Sequence, residues 1–191
     1  MFIAIEGIDY SGKTTQIEAL KTIYPDAVFT REPGGTKIGE KVRDIVLNDE
    51  TNALTRLFLF LADRAEHIAK VIAPNENKLI ITDRSVVSGV GYAWNDAPFE
   101  TLKTLNTIAS RNILPDLAIM LMIDETILRS RMAKQRQDVI EKQGIDFLLE
   151  TQTRIRDAAQ QLGIEMIPIN AGAEPEKITE EIKGIIDDRR A

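Results

Sequence analysis

The chain has 191 residues, with 24 Lys or Arg against 30 Asp or Glu, for a formal net charge of −6. It has no cysteine and one histidine, which excludes disulfides, thiolate metal sites, cysteine nucleophiles and histidine-rich metal centres. A hydrophobic share of 43% with 28% charged residues fits one domain over 1–191, and the acidic balance argues against a nucleic-acid binder.

The first element is the apolar run 2–5, which Glu6 interrupts at once. A secretory leader needs a basic start and a longer apolar run, and no stretch nears the roughly 18 apolar residues of a membrane span. A cytoplasmic protein without membrane contact is expected. A helical pattern follows at 13–23, then an apolar run at 27–30 and helices at 36–47 and 52–73. The run 79–82 comes next, then a helix at 98–110, the run 117–123 and helices at 124–134 and 143–162. The run 164–169 and a helix at 174–188 complete the series. The five runs are rich in Ile, Leu and Val without polar alternation, as strands covered on both faces read. The alternation predicts an α/β fold: a doubly wound, five-stranded parallel sheet flanked by helices. In such sheets ligands bind beyond the carboxyl ends of the strands.

Chemistry enters there. Gly7-Ile8-Asp9-Tyr10-Ser11-Gly12-Lys13-Thr14 fits G-x-x-x-x-G-K-[ST] in full, between a strand and a helix. Gly7 and Gly12 permit backbone conformations that turn successive N–H groups inward, and these bind phosphate at a helix N-terminus. The segment from Gly7 to Thr15 is read as an ATP site. Lys13 reaches the β- and γ-phosphates, and Thr14 ligates Mg2+. The third run ends in Asp83-Arg84. A strand-terminal carboxylate is where a Mg2+-holding acid sits, although a cap for the following helix is the alternative. Arg84, at the same edge, can fork onto a phosphate. The guanine-reading N-K-x-D pattern is absent, since Asn77-Lys78 is followed by Leu79-Ile80.

Within 52–73, Leu54, Leu57, Phe58, Leu61, Ala65, Ile68 and Ile72 form an apolar stripe assigned to the core. Phe60, Arg64 and His67 lie on an adjacent strip. An aromatic face beside a guanidinium can stack on a base and donate to its exocyclic oxygen. Spacing alone favours a peripheral Phe beside a salt-bridged Arg.

Taken together, these motifs resemble the thymidylate kinase family. The resemblance runs essentially the whole chain. It rests on Ile5-Glu6-Gly7-Ile8-Asp9 before the phosphate loop, Thr30-Arg31-Glu32-Pro33-Gly34-Gly35-Thr36, Phe60-Leu61-Ala62-Asp63-Arg64, and Asp83-Arg84-Ser85 through Ser88-Gly89-Val90-Gly91-Tyr92. It implies ATP- and Mg2+-dependent phosphorylation of dTMP to dTDP on the way to dTTP. Glu32 and Pro33 would line the dTMP pocket with a cis peptide between them, and Arg43 would help Arg84 hold the substrate phosphate. Phe60 would stack on thymine and Arg64 reach its O4. Asp9 would accept from the sugar 3′-hydroxyl near the acceptor phosphate. Tyr92 would pack under the deoxyribose, with Ser88 and Gly89 in a turn against the base. His67 has no counterpart in this reading and is taken as structural.

Arg129, Arg131, Lys134 and Arg136 form a basic cluster that alone would read as a solvated helix face. Phosphoryl transfer favours a lid over about 131–142 that supplies positive charge and excludes water. The family places the extra catalytic arginine in the phosphate loop or in the lid. Tyr10 and Ser11 occupy the loop positions, which leaves Arg136 or Lys134, with Arg131 third. Val139 after Asp138 departs from the bacterial lid pattern, and Ala93 stands where many members carry Gln. Asn170-Ala171-Gly172 resembles the adenine-contacting loop. A homodimer is the family's usual state, and Val42, Ile45, Val46 and Leu47 are compatible with one or with core packing. The competing readings are a kinase for another pyrimidine nucleoside or its monophosphate, and an ATP-binding regulatory module without transfer activity.

Overall fold

The computed structural model describes residues 1–133 and 143–190. Strands β1 (Phe2–Glu6), β2 (Val28–Arg31), β3 (Ile80–Asp83), β4 (Leu117–Met122) and β5 (Met166–Asn170) form one parallel sheet in the order β2-β3-β1-β4-β5. Every residue of β1 is buried, as are the first five of β4. Each fully buried Ile or Leu contributes about 1.5–3 kcal/mol, so these strands anchor the fold. The order reverses beside β1, so the carboxyl ends of β1, β3 and β4 open onto one crevice.

The helices are α1 (Lys13–Ile23), α2 (Lys37–Asn48), α3 (Ala53–His67), α4 (Val86–Tyr92), α5 (Phe99–Ser110), α6 (Glu125–Met132), α7 (Ile145–Leu162) and α8 (Pro175–Arg190). The sequence reading misses α4. Its Val86, Val87, Ser88, Val90 and Gly91 are all buried, so it has no polar face to give a helical period. It fits tightly on α7, where a Cβ on Gly91 would lie 2.6 Å from Ile155 Cγ1. The helix expected over 52–73 ends at His67 and continues as a wider π turn (Ile68–Ile72) and a 3-10 turn (Ala73–Asn75). Pro74 has no N–H to give a carbonyl one turn back, which ends the regular ladder there.

The core stripe assigned to that helix needs correction. Leu57, Leu61, Ile68 and Ile72 are buried, but Leu54 and Phe58 are more than half exposed and Ala65 faces solvent. The buried face carries Asp63, Arg64 and His67 instead.

Candidate active site

Two clefts open beyond the strand ends. They meet at Asp9, Glu32, Arg43 and Arg84, which line both.

The first is built on the phosphate loop between β1 and α1. Gly7 has φ +147° and Gly12 φ +96°, and a Cβ on Gly7 would lie 2.5 Å from Ser11 Oγ. Both positions need glycine to close the loop. Lys13 Nζ donates to the carbonyls of Gly7 (3.0 Å) and Ile8 (3.1 Å) and lies 4.0 Å from Asp9 Oδ1. Burial and the nearby Arg84 guanidinium push its pKa down. Asp9, Tyr10, Gly12, Lys13, Thr14 and Thr15 line this cleft, while Gly7, Ile8 and Ser11 lie beneath it. Arg131, at the end of α6, donates from Nη1 to Tyr10 O and from Nη2 to Ala171 O, both at 2.8 Å. It thus ties the phosphate loop to the loop after β5. Arg129 instead pairs with Glu125 on its own helix. Lys134 and Arg136 lie outside the described residues.

The alternative of a capping role for Asp83 does not hold: Ser85 caps α4, accepting from Val87 N–H at 3.2 Å. Among the described residues Asp83 Oδ1 is buried without a hydrogen-bond partner, and Thr14 lines the same cleft. An orphaned acceptor of this kind fits a hard cation that brings its own waters and phosphate oxygens. Among the described residues no cluster of three or more His, Cys, Asp or Glu offers an all-protein cage. The oxygen donors that Thr14 and Asp83 offer suit Mg2+ better than a softer transition metal.

The second cleft lies between α3, α4 and the turn after β2. Arg84, at φ 68°, is its hub. Its Nη1 donates to Gly7 O (2.8 Å) and Ser88 Oγ (3.2 Å), and Nη2 to Asp9 Oδ1 (2.5 Å). The guanidinium lies 5.0 Å from the Tyr92 ring centroid, and Tyr92 donates to Asp9 Oδ2 at 3.2 Å. Burial raises the carboxyl pKa of Asp9, but Arg84 and Lys13 outweigh it and hold Asp9 below its usual range. Burial would lower the pKa of Arg84. The surrounding Tyr92, Asp9, Asp83 and Glu6 reverse that and keep it cationic. Beneath Ser88, buried Glu6 accepts from Ser85 Oγ at 2.6 Å and from Ser88 Oγ. Burial raises its pKa, and the two serine bonds oppose the rise.

Phe60, Arg64, Ser88, Gly89 and Tyr92 line this cleft together with Pro33 and Arg43. The Glu32–Pro33 peptide is cis. Arg43 Nη1 donates to Pro33 O at 3.1 Å. Ser88 and Gly89 belong to helix α4 and not to a turn, and Gly89 abuts Arg64. Glu32 turns its carboxylate onto Arg64 and His67.

Sequence reasoning misses Leu47, Asp63 and Ser85 in the lining and Asn106 behind it. Asp63 accepts from Gly34 N–H at 3.1 Å, and burial followed by the nearby Glu32 pushes its pKa up to about 6. A charge interrupting an apolar helix was the available signal for Asp63. Nothing local marks Asn106.

The family model described as "Thymidylate kinase" matches residues 5–182. A thymidylate kinase of Aliarcobacter butzleri is 44% identical over 188 residues, covering 98% of this chain and 99% of its own length. One from Nautilia profundicola is 43% identical, covering 98% and 97%, and one from Helicobacter pylori is 42% identical, covering 97% and 98%. A phosphate loop, a strand-end Asp-Arg pair and an aromatic-lined second cleft thus coincide with full-length matches to one group of enzymes, and the chain belongs to the thymidylate kinase family.

Proposed function

We infer that the chain transfers the γ-phosphoryl group of ATP to dTMP, releasing ADP and dTDP, with Mg2+ as the required ion. A phosphate oxygen of dTMP forms the new bond to phosphorus as the bond to the β–γ bridging oxygen breaks, and ADP leaves. The acceptor oxygen is already ionised, so no general base is needed. The observation that carries this reading is the shared rim. Arg43 and Arg84 border both clefts, where two anionic nucleotides would meet.

In this reading ATP occupies the phosphate-loop cleft, held by the loop N–H groups and Lys13, with adenine toward Asn170, Ala171 and Gly172. Thr14 and Asp83 would hold Mg2+, which supplies charge neutralisation at the phosphates. Arg84 and Arg43 hold the dTMP phosphate in line. Phe60 stacks on the base and Arg64 donates to its O4. Tyr92 and Asp9 take the sugar side. A lid over about 131–142 completes the charge around the transferring group, with Arg136 or Lys134 as its cation. Arg131 is the weaker candidate, because its Nη1 and Nη2 already donate to main-chain carbonyls. Residues 1–191 act as one catalytic unit.

A homodimer belongs to the same proposal. Val42 and Val46 are buried within the protomer, so they are not its contact. Leu54 and Phe58 on α3 and Ile38 on α2 are exposed apolar side chains suited to one. Among the described residues no helix is long and apolar enough to cross a membrane, and a cytoplasmic location is proposed.

An ATP-coupled assay with dTMP, dUMP, dCMP and dGMP tests the reading. Turnover is expected to be highest by kcat/KM with dTMP. ATP binding without product from any of the four would leave the regulatory-module reading standing instead.

A further inference from the structure

Behind the base cleft lies a buried polar network that the proposed mechanism does not use. His67 is fully buried. Its Nδ1 lies 2.9 Å from Glu32 Oε1 and its Nε2 2.7 Å from Thr30 Oγ1. A carboxylate only accepts, so Nδ1 carries a proton and donates to Glu32. The Thr30 hydroxyl, which can donate or accept, completes the ring's hydrogen bonding at Nε2. The other Glu32 oxygen, Oε2, accepts from Arg64 Nε (2.9 Å) and Nη2 (2.8 Å). Nη2 also donates to Ser85 O at 3.2 Å, and Nη1 donates to Asn106 Oδ1. Four of the five guanidinium N–H groups are therefore committed. One Nη1 hydrogen has no partner among the described residues, and Arg64 lines the cleft. The turn carrying Glu32 is seated on the same histidine: a Cβ on Gly35 would lie 2.6 Å from the His67 ring and 2.7 Å from Thr30 Oγ1.

We propose that His67 is a positioning residue for base recognition. By fixing the Glu32 carboxylate it fixes the orientation of Arg64, so that one N–H faces the pyrimidine. This rests on the assignment of Arg64 as the base reader. A single fixed donor matches the carbonyl at C4 of thymine and opposes the amino group that cytosine carries there. If Glu32 were free to rotate, Arg64 could swing, and the cleft would lose both affinity and that discrimination. Burial gives the arrangement its weight, because Arg64 and Glu32 are only 4% and 7% exposed, so losing a partner there is costly.

The experiment uses four variants of the full chain: H67Q, H67N, E32D and R64A. An Asn amide can occupy the place of imidazole Nδ1 and still donate to Glu32; Gln reaches the Nε2 position and cannot. An Asp at 32 keeps the charge but is too short to span His67 and Arg64. KM for dTMP, KM for ATP and the ratio of kcat/KM for dTMP over dCMP are read for each. H67Q and E32D are expected to raise KM for dTMP roughly tenfold and lower the ratio, with KM for ATP within twofold. H67N is expected to stay within threefold of wild type. H67Q and H67N behaving alike, or ATP and dTMP constants rising in proportion, would overturn the proposal. Should H67Q not fold, E32D decides, and an unchanged dTMP constant and ratio there overturn it. R64A separates the two claims. If R64A leaves dTMP binding unchanged, the base-reading assignment itself fails. If R64A weakens dTMP and E32D does not, only the role of His67 fails.

Discussion

The glycine at 89 provides a stringent test of where Arg64 sits. A Cβ there would lie 2.6 Å from Arg64 Nη2, 2.9 Å from Nη1 and 3.1 Å from Cζ. Ordinary contact begins near 3.4 Å, so in Gly89→Ala the guanidinium must retreat by about 0.8 Å. An arginine tip usually yields at little cost. This one is held by Glu32, Ser85 and Asn106, and at least one of those bonds must lengthen. A hydrogen bond to a charged group is worth about 1.5–3 kcal/mol. Replacing Gly by Ala inside helix α4 returns about 1 kcal/mol of helix propensity. The net loss of stability is then about 0.5–2 kcal/mol, a fall in Tm of roughly 1–8 °C for a chain of this size. The ligand bond is not compensated in that way. Losing one charge-assisted bond to the base raises KM for dTMP roughly 10–150-fold. The assay is a coupled ADP-release titration of dTMP at saturating ATP, repeated with ATP varied, beside a thermal melt. A folded variant whose KM for dTMP stays within twofold of wild type would refute the reasoning, as would equal rises in both constants.

Two further outcomes follow from the same geometry. Asp63 has a carboxyl pKa of about 6, above the ordinary 3.8, so the folded chain keeps a proton that the unfolded chain releases between those values. Stability therefore falls as pH rises through that window, and a penalty of about 3 kcal/mol is complete above pH 6. Asp63→Asn removes it while still accepting from Gly34 N–H. The Tm advantage of the variant should grow by roughly 5–10 °C between pH 4 and pH 7, and a gap that fails to widen contradicts the assignment. Asp83 Oδ1 is buried without a partner among the described residues, so Asp83→Asn should lower turnover at least 10–100-fold and raise the Mg2+ needed for half-maximal rate. An unchanged Mg2+ dependence would exclude Asp83 as a ligand.

The phosphate loop was legible in the sequence because its chemistry is local. Two glycines, a lysine and a threonine at fixed spacing, between an apolar run and a helix, leave few other conformations. The central strands β1, β3 and β4 were legible because burial on both faces keeps them apolar, whereas the edge strands β2 and β5 are only partly buried and were legible from their short apolar runs alone. What failed was the assumption that apolar means buried and charged means exposed. Helix α3 inverts it: Leu54 and Phe58 face outward, while Asp63, Arg64 and His67 are buried. Their burial is possible only because Glu32, Thr30 and Gly34 come from a different element to pair with them. No pattern within α3 encodes partners that lie about 30 residues away. Asn106, reached across 42 residues, is invisible for the same reason. Helix α4 escaped because helical periodicity needs a polar face, and five of its seven residues are buried.

The charge pattern at the rim explains why an acid is tolerated inside a phosphate loop. Lys13, Arg43 and Arg84 converge where anions are to bind, and bare clustered cations would repel one another and resist burial. Asp9 offsets that cost by bonding Arg84 and lying 4.0 Å from Lys13. Tyr92 adds its ring face to Arg84 and its hydroxyl to Asp9. The guanidinium is thus oriented before any ligand arrives, and Glu6 fixes the Ser88 hydroxyl against its other edge. Such preorganisation is the larger part of electrostatic catalysis, since donors already aimed need no rearrangement as charge develops. It also sets a limit on substitution at this rim. Removing Asp9 would free the cations for phosphate but leave them unaligned, so tighter nucleotide binding with slower transfer is the combination this arrangement predicts.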